Sequence, residues 1–155
     1  MAYSITKKQL AAQPVLQVTR RVTRPEIAKA IGEALPLVMA YAQRNGIAVV
    51  GAPFARYPEM GPAQLTLEIG MPVGAAPGTS DNDVKAATLP AGPAAVTMHV
   101  GHYDKLPEAV QALGQWIQQH GLTPMGGPWE SYVTDPGQLP DPKDWKTEVF
   151  WPVNS

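Results

Sequence analysis

The strongest constraint on this chain is that its second half repeats its first. Gly46, Gly51, Pro53, Phe54 and Tyr57 return, in order and at one constant offset, as Gly121, Gly126, Pro128, Trp129 and Tyr132. After a connection that is longer in the second copy, Glu68, Pro72 and Val73 return as Glu148, Pro152 and Val153. Repetition that falls on glycine, proline and aromatic residues marks shared turns and shared packing, because these residues fix backbone geometry and fill cores. The 155 residues therefore have to be read as two similar units that make one domain large enough to bury a core.

Each unit reads as strand, helix, strand, strand. In the first, Val15 to Val22 alternates apolar and polar residues in the manner of a strand with one wet face. Thr23-Arg24-Pro25-Glu26 forms a capping box with proline in the first turn. Ile27, Ile31, Leu35 and Val38 follow at helical spacing as far as Asn45-Gly46, and Pro36 is expected to bend this helix. Strand signals resume at Ile47 to Tyr57 and at Gln64 to Val73, where Leu65, Leu67, Ile69 and Met71 face one way. In the second unit Val84 to Leu89 and Ala94 to Tyr103 read as strands. Asp104 is expected to cap a helix striped by Leu106, Val110, Leu113 and Ile117, and two strands close the chain. Residues 1–13 are polar and unpatterned and read as a loose arm. The expected organisation is one domain over 1–155, with repeat 1 at about 14–73, a linker at 74–83 and repeat 2 at about 84–153. The fold class is α+β: a mostly antiparallel sheet with two main helices on one face and a concave ligand groove on the pseudo-twofold axis.

Composition narrows the function. The formal net charge is −1 and no run of Lys and Arg exceeds a pair, so the electrostatic footprint of nucleic-acid binding is missing. There is no cysteine, which removes thiolate chemistry and Cys-based zinc sites. No export signal and no membrane-spanning stretch is legible, so the expected address is the cytoplasm. His99 and His102 fall on opposite faces of a strand and His120 ends a helix, so neither a metal nor another cofactor is expected.

The residue that asks for a partner is Glu148, set within the apolar run Val149-Phe150-Trp151. Burying an ionised carboxylate costs several kcal/mol unless something pairs with it. Strand alternation puts Thr147, Val149, Trp151 and Val153 on one side and Glu148 with Phe150 on the other. By the same rule Glu130 and Tyr132 share a face and Trp129 takes the opposite one. With Glu148 and Tyr132 in the groove, a ligand cation would pair with the carboxylate while rings supply apolar area and cation–π attraction. The plainer alternative is a Glu148 held by a surface lysine or by Arg56. Glu68, its counterpart, is open between groove lining and solvated surface, and Trp129, Trp145 and Trp151 are open between groove and helix layer.

These residues resemble the GyrI-like small-molecule-binding domain, the effector-binding domain of AraC- and MerR-type multidrug regulators, also described as a SOUL or bacterial effector-binding fold. The resemblance is carried by Gly51-Ala-Pro-Phe-Ala-Arg-Tyr57, Glu68-Ile-Gly-Met-Pro-Val73, Gly101-His-Tyr-Asp-Lys-Leu-Pro-Glu-Ala109, Gly127-Pro-Trp-Glu-Ser-Tyr132, Asp135-Pro136, Pro140-Asp-Pro142 and Thr147-Glu-Val-Phe-Trp-Pro-Val153. It implies the duplicated fold and a central groove for apolar, aromatic and often cationic compounds. It also implies a groove carboxylate at Glu148 and groove aromatics at Tyr132, Trp129 and Tyr103. The expected ligand-binding set is Glu148, Tyr132, Trp129, Glu130, Tyr103, Phe150, Phe54, Tyr57 and Glu68. Regulators of this kind carry a helix-turn-helix domain for which this chain has no room, so a stand-alone binding module without direct DNA binding is expected. Some members of the family hydrolyse strained cyclopropane rings of natural products. That leaves a second reading open, in which Glu148 deprotonates or orients a water and Tyr132 donates to the developing oxyanion. A third reading, an inhibitor of a DNA-acting enzyme, is weakened by the lack of an acidic patch.

Overall fold

The computed structural model describes residues 3–61, 63–74, 83–134 and 138–154. Positions 75–82 of the expected linker and the Asp135-Pro136 pair lie outside the described residues. The elements run β1 (Thr6–Leu10), β2 (Gln13–Val22), α1 (Ile27–Arg44), β3 (Phe54–Met60), β4 (Leu65–Pro72), β5 (Lys85–Leu89), β6 (Gly92–Val100), α2 (Leu106–Gln119), β7 (Trp129–Tyr132) and β8 (Lys146–Pro152). Every strand pairing described below is antiparallel, so the fold is α+β as the sequence predicts. Among the described residues no helix is long and apolar enough to cross a membrane.

The chain divides into two compact units, Ala12–Pro90 and Met1–Ala11 with Ala91–Ser155. In the first, β4 lies between β3 and β2, and β5 runs along the other edge of β2. In the second, β8 lies between β7 and β6, and β1 runs along the other edge of β6. The two units copy each other down to single hydrogen bonds. Val50 N–H donates to Pro72 O at 3.0 Å and Met125 N–H to Pro152 O at 2.7 Å, while Val73 and Val153 donate to Pro14 O and Pro93 O at 2.9 and 3.0 Å. Each helix ends on a glycine in the left-handed region, Gly46 at φ 64° and Gly121 at φ 66°, where a side chain would be strained. The next residue then donates back into the helix, Ile47 to Ala42 O at 2.9 Å and Leu122 to Ile117 O at 3.0 Å.

Two sequence expectations change here. The segment read as a loose arm contains β1, which pairs with β6 from Thr6↔Val96 to Leu10↔Gly92. Its four exposed residues Thr6, Lys7, Lys8 and Gln9 show no alternation because an edge strand with solvent on both faces has no apolar side to display. Its lysines also suit an edge that must not pair further. The strand at 84–89, assigned from the sequence to repeat 2, is β5 and pairs with β2 of the first unit. The repeat boundary read from the residues is therefore not the boundary of packing.

Helix starts follow local chemistry. The Glu26 carboxylate accepts from Thr23 N–H at 2.8 Å, the reciprocal half of the capping box, and a short 3₁₀ turn leads into α1. Pro36 sits inside α1, which runs on to Arg44. At α2 the cap is not Asp104. His102 Nδ1 accepts from Asp104 N–H at 3.0 Å, because a 3₁₀ turn at Tyr103–Lys105 starts the coil two residues earlier than the apolar stripe suggests.

In the first unit the sheet face carrying Leu16, Val18, Ala55, Leu67 and Ile69 is completely buried, and α1, packed on β2 and β4, sets Ala34, Val38, Tyr41 and Ala42 in the core. Each buried Val, Leu or Ile side chain among these contributes about 1.5–3 kcal/mol. On the opposite face the backbones of β2 and β4 approach so closely at Gly70 that a Cβ there would stand 1.9 Å from Leu16 O. In the second unit α2 contributes Leu106, Ala109, Leu113 and Ile117 to a core shared with Ala95, Val149 and Val153.

Candidate functional site

Which way each side chain of the second unit points follows from its register. Val149 packs under α2. Glu130 is its partner on β7 and Thr97 its partner on β6, while Thr147 sits between Tyr132 and His99. Glu130, Tyr132, Thr147, Thr97 and His99 therefore occupy the face that α2 covers. Glu148 is paired with Ser131 and Met98, and Phe150 with Trp129 and Val96, so these residues occupy the face turned away from α2.

The expected set is thus split in two. Glu130 and Tyr132 do share a face, and Trp129 does take the other. Glu148 and Tyr132 do not meet as expected: the register that pairs Tyr132 with Thr147 puts the Glu148 side chain on the far side of the sheet. On that far side Trp129 stacks on Phe150 with centroids 5.3 Å apart and planes at 19°. The Glu148 carboxylate lies 3.5 Å from Lys8 Nζ, with its side chain 26% exposed. That lysine comes from the strand that the sequence hid. Exposed Met98 and Val100 continue this face.

The carboxylate that is buried is Glu130, only 5% exposed. Tyr132 donates its hydroxyl hydrogen to Glu130 Oε2 at 2.9 Å, although the two are neighbours on one strand. Tyr132 in turn leans on Tyr103, with centroids 5.5 Å apart, and Tyr103 on Trp145, at 4.8 Å. Trp145 is pinned at three points. Its indole N–H donates to Leu139 O at 2.6 Å, its carbonyl accepts from Gly101 N–H at 2.8 Å, and its ring stacks on His102 at 5.4 Å. Tyr103, Tyr132 and Trp145 are all half-buried, so a wall of rings at the start of α2 is linked by one hydroxyl to a buried carboxylate.

The neighbouring polar groups on the same face are satisfied by the amino-terminal strand region. Thr97 Oγ1 donates to Ser4 O at 2.8 Å. The Tyr3 hydroxyl lies 2.9 Å from His99 Nδ1, and His99 Nε2 lies 3.0 Å from His102 O. A carbonyl only accepts, so the Nε2 carries the proton and Nδ1 accepts from Tyr3. Burial first, then the charge of Glu108, raises the Tyr3 pKa, which keeps that hydroxyl a donor. Thr147 Oγ1 differs: it is buried and has no hydrogen-bond partner.

The remaining expected residues lie in the first unit. Phe54 and Tyr57 are buried at 2% and 7% exposure. Glu68 lies 3.7 Å from Arg56 and accepts from Gln17 Nε2 at 3.1 Å, so its charge is balanced within that unit. Among the described residues no group of three or more His, Cys, Asp or Glu could hold a metal ion. Sequence reasoning did not single out Thr147 or the cap residue His102. The signal for Thr147 was present, because it alternates with Val149 in the strand that was read as packing under a helix.

With this geometry established, the likeness to known proteins can be stated. Residues 3–154 match the GyrI-like small molecule binding domain. The fold is that of the EcmrR C-terminal domain, with a TM-score of 0.88 at 24% identity over 100% of this chain and 99% of that one. In the EcmrR–DNA complex the likeness has a TM-score of 0.86 at 23% identity and covers 99% of this chain but 58% of the EcmrR chain. SAV2435, in a structure bound to tetraphenylphosphonium, is similar with a TM-score of 0.68 at 15% identity, covering 100% and 95% of the two chains. A hydrolase from Listeria innocua is similar with a TM-score of 0.65 at 18% identity, covering 97% and 91%. No curated protein matches the chain in sequence. A match over nearly every residue, on a fold whose halves repeat strand for strand, makes this chain a member of the GyrI-like small-molecule-binding domain family.

Proposed function

We propose that this domain binds a hydrophobic cation, pairing its charge with Glu130 and laying its apolar body against Tyr132, Tyr103 and Trp145. One observation carries the reading: a carboxylate only 5% exposed, hydrogen-bonded to a tyrosine that belongs to a wall of rings. A buried carboxylate costs several kcal/mol to ionise, so a cation brought beside it gains strongly from the pairing. Aromatic faces add about 0.5–2 kcal/mol each where they are desolvated. The tetraphenylphosphonium bound to SAV2435 is the kind of ligand this chemistry suits. On this reading the module senses or sequesters such compounds.

The test is calorimetric titration with tetraphenylphosphonium and with neutral triphenylphosphine oxide. Wild type should favour the cation, and Glu130→Gln should weaken the cation about tenfold or more while leaving the neutral compound within twofold. Glu148→Gln should change neither. If Glu148→Gln instead removes the preference for charge, the far face with Trp129 and Phe150 is the binding face and the Glu130 assignment fails.

The Glu130–Tyr132 contact also favours a second reading, hydrolysis of electrophilic cyclopropanes, since a carboxylate and a hydroxyl 2.9 Å apart can orient a water and donate to developing negative charge. Glu148 and Tyr132 face opposite ways and do not serve this chemistry together. Turnover that Glu130→Gln and Tyr132→Phe both abolish, with ligand affinity kept, would establish the enzyme.

A further inference from the structure

We infer that the solvent side of α1 is a self-complementary contact, through which two copies of this chain associate about a twofold axis with their α1 helices antiparallel. The two helices differ in what they show to solvent. On α1 Pro36, Leu37, Met39 and Ala40 are all exposed, Leu37 at 44% and Met39 at 38%. The repeat places Gln111, Ala112, Gly114 and Gln115 at the same positions of α2, whose solvent side is made largely of glutamine. Single apolar residues on a surface are ordinary, but several adjoining ones on one helix mark a place where something packs.

Gly32 points the same way. Glycine and proline are the residues least favourable to a helix interior, and α1 holds Gly32 and Pro36 one turn apart. A Cβ on Gly32 would meet nothing within 4 Å, whereas one on Gly114 of α2 would stand 3.5 Å from Trp151. The chain's own packing therefore does not call for a glycine at 32. A bare turn of helix on an open side suits the close approach of another backbone.

What covers this side follows from the order of its charges. Glu33, Leu37, Ala40 and Arg44 recur at helical spacing and form one stripe along α1, and all four are exposed. The stripe runs acid, apolar, apolar, base. Turned end for end by a twofold axis it becomes its own complement: Glu33 faces the second copy's Arg44 at both ends, and Leu37 faces its Ala40 between them. A parallel arrangement would set acid on acid and base on base. Within its own chain Glu33 lies 3.8 Å from Lys29 with its side chain 65% exposed, and the Arg44 guanidinium stands 5.7 Å over the Tyr41 ring. Exposed contacts of this kind are weak, so both groups can also engage a second copy. One helix crossing buries less than the roughly 1,600 Å² of a standard interface, which makes the association weak, with a dissociation constant on the order of 100 μM. No residue of the proposed ligand site takes part.

The experiment is sedimentation equilibrium of the whole chain from about 10 μM to about 1 mM, with each variant checked for a melting temperature close to wild type. Wild type should pass from monomer to dimer across that range. Glu33→Lys and Arg44→Glu, each alone, should weaken the dimer about tenfold or more, because like charges then meet at both ends of the crossing. Mixed in equal amounts, the two variants should associate to within about threefold of wild type, since acid again meets base at both ends. That recovery separates a lost contact from a lost fold. Gln119→Glu, at the position of α2 that matches Arg44, should leave association unchanged. A wild-type chain that stays monomeric up to about 1 mM overturns the inference. So does a dimer that neither charge variant weakens, a mixture that stays monomeric, or a dimer that Gln119→Glu weakens as much as Arg44→Glu.

Discussion

The sheet face under α1 and the sheet face under α2 share one register and differ in what fills it. Where the first unit has Val18, Ala55 and Leu67, each completely buried, the second has Thr97, Glu130 and Thr147. The central strands keep one aliphatic anchor each, Ile69 and Val149, also completely buried. The first unit sends its own carboxylate, Glu68, to the opposite face, where it lies 3.7 Å from Arg56 and accepts from the Gln17 amide. The second keeps a carboxylate beneath its helix, where a tyrosine hydroxyl donates to it. The same scaffold thus carries an apolar set beneath the helix in one half and a partly polar set in the other.

The comparison predicts unequal responses to matched substitutions. The largest effect is expected from Ala55→Glu, which writes the second unit's carboxylate into the first unit's core. The new carboxylate would stand on the face that carries Val18, Leu67 and Ile69, each completely buried. A loss of roughly 4 kcal/mol in urea unfolding is expected. A variant as stable as wild type would mean that both faces tolerate an acid and that the contrast has no energetic basis.

Next is the pair Gly70→Ala and Phe150→Ala, at matching positions of β4 and β8. A Cβ at residue 70 would meet Leu16 O at 1.9 Å, a backbone atom that cannot rotate away, so about 3 kcal/mol is expected to be lost. Phe150 is half-buried and stacked on Trp129, and its truncation should cost less, about 1–2 kcal/mol. Equal losses would show that the two central strands are equally constrained.

The smallest effect concerns the strand edges. In the first unit Arg20 holds Asp83 by two bonds of 2.7 Å, at the position that buried His99 takes in the second. The hydrogen bond from Arg20 lowers the Asp83 pKa. A depressed carboxylate contributes stability that is fully present above its unfolded value, about pH 4, and is lost as pH falls through the lower folded value. The contribution of this pair to melting temperature should therefore be constant between pH 7 and pH 5 and should fall away below pH 4. In Asp83→Asn that part of the acid dependence should be absent. Both groups are substantially exposed, so the difference is small, and an unchanged acid limb in Asp83→Asn would show that the pair does not contribute.

Much of this was legible in the residues. The repeat named the fold, because Gly46 and Gly121 end helices in the same left-handed conformation and Pro72 and Pro152 accept the same backbone bond. Alternation correctly separated Glu148 and Phe150 from Val149, and Trp129 from Glu130 and Tyr132. What it missed was β1, whose residues are polar on both faces, and with β1 it missed Lys8 as the partner of Glu148. It also joined Glu148 to Tyr132, a pairing that the register forbids.

The sequence by itself determined the duplicated strand-helix-strand-strand order and the grouping of side chains within each strand, because a period of two is a local property of an extended chain. Only the tertiary structure decided which groups on neighbouring strands share a face, and hence that Glu130 rather than Glu148 is the buried acid. Register between β7 and β8 is a relation between separate strands, and a shift of a single residue turns every side chain to the other side of the sheet.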